Sequence, residues 1–246
     1  VDEEGRINYD DLAVLVKKEK PKLIFAGTTA YPWILDWKKF GEIAESVGAW
    51  LVADISHIAG LIVGGVHPDP VPFVHLITST THKTLRGPRG AIIGVTKKGL
   101  EKDVEVAKKI DRAVFPGLQG GPHINNIAAM AVAFKEADTP EFIKYVQQTI
   151  ANAKALAESL KSKGLKIFGT ENHLMVVDCG TGRGKEMAIK LEESGIIVNA
   201  NTILHDLAGP LKPSGIRLGT PAMTTMGYLE TDFQALGVKI ARLIKE

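Results

Sequence analysis

The chain has 246 residues, 45% hydrophobic and 24% charged, with 30 basic and 28 acidic side chains and a net charge of +2. That is the composition of an ordinary soluble globular chain of one or two domains, and the absence of a basic block or tail excludes a polybasic nucleic-acid binder. The lone cysteine, Cys179, excludes an intrachain disulfide framework and fits a reducing cytoplasm, and no apolar run has the length of a membrane helix.

The chain starts at Val1 rather than Met, in what reads as a turn, Asp2-Glu3-Glu4-Gly5, and its opening residues do not read as a signal peptide. It then runs straight into a helix and a buried strand, as the middle of a domain does, so a fragment lacking an N-terminal portion is expected. The first helix starts with Asn8 or Asp10 as cap, shows Leu12, Leu15 and Val16 on one face, and ends at Pro21. Residues 22–26 are a short apolar strand. Residues 36–47 have Phe40, Ile43, Ala44 and Val47 at helical spacing, closed by Gly48. Residues 49–53 form a nearly all-apolar strand ending at Asp54, residues 74–77 another apolar run, and residues 91–95 a further strand. Continuous apolar strands alternating with helices predict a mainly parallel sheet covered on both faces.

Residues 124–135 and 141–162 read as helices, broken around Asp138-Thr139-Pro140. After Gly164, short strands at 165–168, 174–178 and 196–198 alternate with helices at 185–194 and 229–244. The pattern predicts a large domain over 1–140, and over 141–246 a linking helix and a smaller C-terminal α/β domain. No repeat or low-complexity segment interrupts it.

The chemistry concentrates in Thr78-Ser79-Thr80-Thr81-His82-Lys83-Thr84-Leu85-Arg86-Gly87-Pro88-Arg89-Gly90. A lysine after an apolar strand and a hydroxyl cluster can lose ammonium character and add to a carbonyl, while the hydroxyls and nearby N–H groups suit a phosphate. In an open α/β sheet, ligands bind beyond the carboxyl ends of the strands. Thr28-Thr29, Asp54 to His57, and Thr80 to Lys83 each follow such an end, so they are expected to converge on one rim. Asp54, ending a buried strand, needs a partner: either it caps a helix or it pairs with a cationic ring nitrogen.

Elsewhere, Gln119-Gly120-Gly121-Pro122 is a loop where backbone N–H groups can approach a phosphate, or a plain turn. Arg217, in Ser214-Gly215-Ile216-Arg217-Leu218-Gly219, has the fork geometry to hold a carboxylate. Gly180-Thr181-Gly182-Arg183-Gly184-Lys185 lacks the spacing of a nucleotide loop and reads as a turn. The histidines at 57, 67, 75 and 82 make no metal pattern, so no metal is expected.

The lysine string closely resembles the cofactor-lysine motif of serine hydroxymethyltransferase (glycine hydroxymethyltransferase), a fold-type I pyridoxal phosphate enzyme. The Asp54-x-x-His57 spacing and the 29 residues from Asp54 to Lys83 match that family as well. The resemblance spans essentially the whole chain. It implies an α/β, fold-type I transferase and reversible transfer of the serine hydroxymethyl group to tetrahydrofolate, giving glycine and 5,10-methylenetetrahydrofolate. Pyridoxal 5'-phosphate would be covalent on Lys83, with tetrahydrofolate as co-substrate.

By the same resemblance Asp54 is the pyridinium partner, His57 lies near the ring oxygen, and His82 stands beside the reacting amino acid. Thr29 and Thr80 are near the cofactor, Thr80 helping to hold its phosphate, and Arg89 supports the lysine loop. Gly120 and Gly121 reach the cofactor of a neighbouring subunit, which implies a homodimer or larger assembly with shared active sites. Arg217 grips the α-carboxylate of serine or glycine, and Asn201 lies near the folate ring or is a turn asparagine. The implied setting is the cytoplasm, with no nucleic-acid or membrane partner. The family's N-terminal portion, with its ring-stacking histidine, further phosphate ligands and proton-transfer glutamate, has no counterpart here. The rivals are another pyridoxal phosphate aldolase or acyltransferase acting on glycine or threonine, and an inactive chain needing an N-terminal partner.

Overall fold

The computed structural model describes residues 1–246. It divides into two compact units, one of Asn8–Thr29 with Leu35–Ile143 and the other of Lys144–Glu246 with Val1–Ile7 and Ala30–Ile34. No helix is long and apolar enough to cross a membrane.

The first unit begins with α1 (Tyr9–Glu19), whose cap is Asn8: its side chain accepts from the N–H groups of Asp10 and Asp11, relieving donors that have no partner within the helix. Then come β1 (Leu23–Gly27) and α2 (Trp37–Glu45), the latter capped by Asp36 accepting from Lys39 N. Next are β2 (Trp50–Asp54), the short α3 (Ala59–Val63), β3 (Leu76–Thr80) and β4 (Ala91–Val95). Helices α4 (Lys97–Lys102), α5 (Val106–Arg112) and α6 (Ile124–Ala137) follow, with a kinked turn at Ala113–Leu118 between the last two.

The strands lie in the order β1-β2-β3-β4, the first three parallel and β4 antiparallel to β3. The sheet is therefore mixed. Leu51, Val52 and Ala53 in β2 are almost fully buried, and so are Trp37, Phe40 and Ala44 in α2, which packs on β2. The apolar stripe of α2 and the unbroken apolar run of β2 form one core, the largest stabilising term for such a layer. The register sets the functional end of the sheet: Gly27 pairs with Asp54, and Asp54 with Thr78. The strand ends lie abreast. A Cβ on Gly27 would stand 2.6 Å from Asp54 Cβ, so glycine is what lets β1 close on β2 there.

The long helix α7 (Pro140–Ser162) leads into the second unit. Beyond it lie β5 (Ile167–Phe168), β6 (Leu174–Asp178), α8 (Gly184–Glu193), β7 (Asn199–Asn201), β8 (Gly215–Gly219), α9 (Pro221–Thr225) and α10 (Glu230–Lys245). Their sheet has the order β5-β6-β8-β7 and is antiparallel throughout. Met175, Val177, Leu191, Ile216, Phe233 and Ile240 are among its buried core residues. Two sequence expectations are corrected here. The strand placed at 196–198 lies at β7, because Ile196 N bonds back to Leu191 O and so belongs to the turn leaving α8. The segment around Arg217, read only for its arginine, is a full strand, β8.

Candidate active site

The convergence expected at the sheet rim occurs. Phe25, Gly27, Thr28, Thr29, Asp54, Ser56, His57, Thr80 and Lys83 line one cleft of about 380 Å³ in the first unit. That volume lies within the range of small-molecule sites.

Asp54 ends β2, and its Oδ1 accepts from both Ser56 N (3.0 Å) and Ser56 Oγ (2.5 Å). Oδ2 makes no hydrogen bond, which leaves one carboxylate oxygen for a further donor. Ser56 in turn accepts from Thr80 N at 3.0 Å. Thr80 ends β3, and its Oγ1 accepts from Lys83 Nζ at 3.0 Å. A polar chain therefore runs from the carboxylate of Asp54 to the amine of Lys83 across two adjacent strand ends. Thr84 ties the lysine loop to the neighbouring turn: its Oγ1 donates to His57 O and accepts from Gly60 N, each at 3.0 Å. Thr81, fully buried, closes the loop itself by donating to Pro88 O and Gly90 O and accepting from Gly87 N.

His82 points its Nε2 at Arg89 Nη1, 3.3 Å away. A guanidinium only donates, so Nε2 accepts and Nδ1 carries the proton. That Nδ1 is buried with no partner. Burial, then the positive charges of Arg89 and Lys83, push the imidazole below its ordinary pKa and keep it neutral. Arg89 is exposed, and its carbonyl accepts from Asn126 Nδ2 at 3.1 Å. Gly120 and Gly121 lie in an exposed loop outside the cleft.

The other predicted residues belong to the second unit. Arg217 sits mid-strand in β8, where its Nη2 donates to Asn199 Oδ1 at 3.2 Å and burial lowers its pKa. Asn201 ends β7, with its Nδ2 donating to Thr202 O at 2.6 Å. Cys179 follows β6 as a buried core residue, its thiol pushed up to about 12 by burial and the charge of Asp178, which keeps it inert.

Sequence reasoning missed Ser56 and Thr84 as parts of the site. Ser56 carried a local signal, because an Asp followed two residues later by a hydroxyl is a common turn. Its bond to Thr80 N crosses 24 residues and had none. Chemically, the cleft presents a primary amine, a carboxylate with a vacant oxygen, and several hydroxyls. That set suits a ligand with a carbonyl, a cationic nitrogen and an anionic group.

A profile described as serine hydroxymethyltransferase matches residues 1–240. The serine hydroxymethyltransferase of Novosphingobium aromaticivorans is 49% identical over 244 residues, covering 97% of this chain and 54% of that protein. The one from Rickettsia felis is 50% identical over 242 residues, covering 97% and 56%. The chain thus spans about half the length of the curated relatives it matches. With the family profile matching nearly end to end, the chain belongs to the serine hydroxymethyltransferase family.

Proposed function

We propose that this chain supplies the lysine-bearing part of a pyridoxal phosphate site for reversible transfer of the serine hydroxymethyl group to tetrahydrofolate, with glycine as the other product. The observation that carries the reading is the chain of hydrogen bonds from Lys83 Nζ through Thr80 and Ser56 to Asp54, in one cleft. The donor set fits the cofactor. Lys83 Nζ, held by a single hydroxyl, would hold its carbonyl carbon, and Asp54 Oδ2 would pair with its ring nitrogen. The hydroxyls of Thr28, Thr29, Ser56 and Thr80 line the same cleft, with Thr80 assigned to the phosphate. His57 would lie by the ring oxygen.

When bound, the cofactor supplies an electron sink for the pair released as the serine Cα–Cβ bond breaks. The chain's own residues set the conditions for it. Asp54 keeps negative charge beside the ring nitrogen, and Ser56 holds that carboxylate in place. Neutral His82 adds no charge beside the lysine. Arg217 is assigned to the α-carboxylate and Asn201 to the folate ring; Gly120 and Gly121 are assigned to the cofactor phosphate of a second subunit. The reading makes the first unit the cofactor domain and the second the small domain of a cytoplasmic homodimer.

The test is to mix the chain with pyridoxal phosphate, reduce with borohydride and map the modified lysine by mass spectrometry. A single adduct at Lys83 supports the reading. Adducts scattered over surface lysines, or none, overturn it for this chain. Serine cleavage that depends on tetrahydrofolate then separates the transferase from a folate-independent aldolase.

A further inference from the structure

Between β7 and β8 the chain makes a long loop, residues 202–214, before it returns to the strand that carries Arg217. One side chain holds that loop. Asp206 Oδ2 accepts from Ser214 N (2.8 Å) and Ile203 N (3.3 Å), and Oδ1 accepts from Ser214 Oγ (2.6 Å) and Ala208 N (3.0 Å). Both ends of the loop are therefore fastened to one carboxylate. Ser214 is itself buried, and its Oγ accepts from Gly182 N at 2.9 Å while its carbonyl accepts from Cys179 N at 2.9 Å. At the next residue a Cβ would stand 2.6 Å from Ile203 Cγ2, so Gly215 lets the loop close tightly on the strand.

That closure sets a register. Asn201 pairs with Gly215, and Asn199 with Arg217, whose guanidinium donates to Asn199 Oδ1 at 3.2 Å. Arg217 is held on its face by the pairing of β8 with β6, where it lies opposite Val176, so a slip of β7 by one residue would put a different residue opposite Arg217 and turn Asn199 to the other face of the sheet. β7 has only three residues, too few to fix its own register by pairing alone.

We infer that Asp206 is a positioning residue for the carboxylate-binding arginine: by fastening both ends of the 202–214 loop it fixes the β7–β8 register, and Asn199 then orients Arg217. This rests on the reading of Arg217 as the α-carboxylate ligand. The Ser214 hydroxyl above all, with the backbone donors, holds the Asp206 carboxyl down at about 2, so the clasp stays ionised throughout the neutral range.

The test compares Asp206→Ala and Asp206→Asn with the unaltered chain by two readouts. Amide hydrogen exchange is expected to quicken in Asp206→Ala at residues 199–201 and 215–217, with α7 and α10 unchanged. Glycine affinity of the pyridoxal phosphate-loaded chain, by titration calorimetry, is expected to fall roughly tenfold, with pyridoxal phosphate affinity unchanged. Asp206→Asn keeps one acceptor oxygen for Ser214 and is expected to lie between the two. Exchange unchanged at both strands, or raised evenly through α7 and α10, overturns the inference. So does faster exchange with glycine affinity intact. If the unaltered chain binds no glycine, the reading of Arg217 fails, and the exchange data alone decide whether Asp206 fixes the register.

Discussion

Lys83 Nζ donates to Thr80 Oγ1 at 3.0 Å, so the end of β3 directly holds the amine three residues further on. The same hydroxyl is the one assigned to the cofactor phosphate, and a hydrogen bond to a charged group is worth about 1.5–3 kcal/mol. Thr80→Val removes the acceptor and one hydroxyl of the cleft while keeping the shape of the side chain. It is expected to weaken pyridoxal phosphate retention about tenfold, with the borohydride-fixed adduct still at Lys83. Lys83→Ala is expected to abolish the adduct and leave the unfolding transition intact. An adduct that persists at another lysine in Lys83→Ala would show that Lys83 is the wrong residue.

Ser56 joins the segments that end β2 and β3. Its hydroxyl donates to Asp54 Oδ1 and accepts from Thr80 N. Ser56→Ala leaves that N–H without its acceptor and leaves Asp54 Oδ1 held only by the backbone N–H of residue 56. The expected cost is about 1–3 kcal/mol, read from the urea midpoint. Cofactor affinity should fall with it, since Asp54 has lost the shorter of its two anchors. Ser56→Thr keeps the hydroxyl and is expected to restore both; no recovery would mean the hydroxyl is not what matters.

Much of this site was legible because its chemistry sits in short segments after apolar strands. Asp54, His57, Thr80 and Lys83 could be placed on one rim from the strand pattern and the rule for parallel sheets alone. What stayed hidden depends on pairs far apart in the chain. Ser56 bonds Thr80, Thr84 bonds His57 O and Gly60 N, and no periodicity encodes such contacts. In the second unit, β8 escaped notice although Ile216 and Leu218 are buried and Arg217 between them is not. Glycines at both its ends and a single apolar pair gave too short an alternation to outweigh a turn. Nothing in the local sequence announced that Val1–Ile7 and Ala30–Ile34 join the second unit. Their links are single long-range bonds, such as Arg6 Nη2 to Glu171 Oε1 at 2.6 Å and Asn172 Nδ2 to Tyr31 O at 2.9 Å.

Gly60 is the point where α3 meets the lysine loop. A Cβ there would overlap the carbonyl oxygen of Thr84, which is backbone and cannot swing aside. Gly60→Ala must therefore push the loop away from the helix and stretch the bond from Gly60 N to Thr84 Oγ1. Overpacking of this kind costs about 1–3 kcal/mol. Because the displaced segment adjoins Lys83, the variant should also slow borohydride-fixed adduct formation. The control is Gly65→Ala, where φ is +73° and no atom lies within 4 Å of the added Cβ. It is expected to lose stability through backbone strain alone and keep the adduct. Equal adduct yields in the two variants would show that the α3 contact does not position Lys83.

His75 stands at the opposite end of β3 from the cleft and takes the place of a strand partner. Its backbone N–H donates to Leu51 O at 3.0 Å, and its Nδ1 accepts from Leu51 N at 2.9 Å. Only an unprotonated Nδ1 can accept. Burial lowers the pKa first, and the charges of Lys102 and Lys98 lower it further, against a smaller opposing pull from Glu45. The ring also meets Trp50 edge-on at 5.2 Å. The sign follows from linkage: the unfolded chain takes up the proton nearer the ordinary value of 6.5, before the folded one does. This contribution is therefore complete above that value and is lost as pH falls through the lower folded one. Stability is expected to drop between about pH 7 and about pH 5, read from urea midpoints. His75→Asn offers Oδ1 as the acceptor for Leu51 N and does not titrate, so its midpoint should fall less over the same interval. An equal fall in both proteins would place the pH sensitivity at other groups.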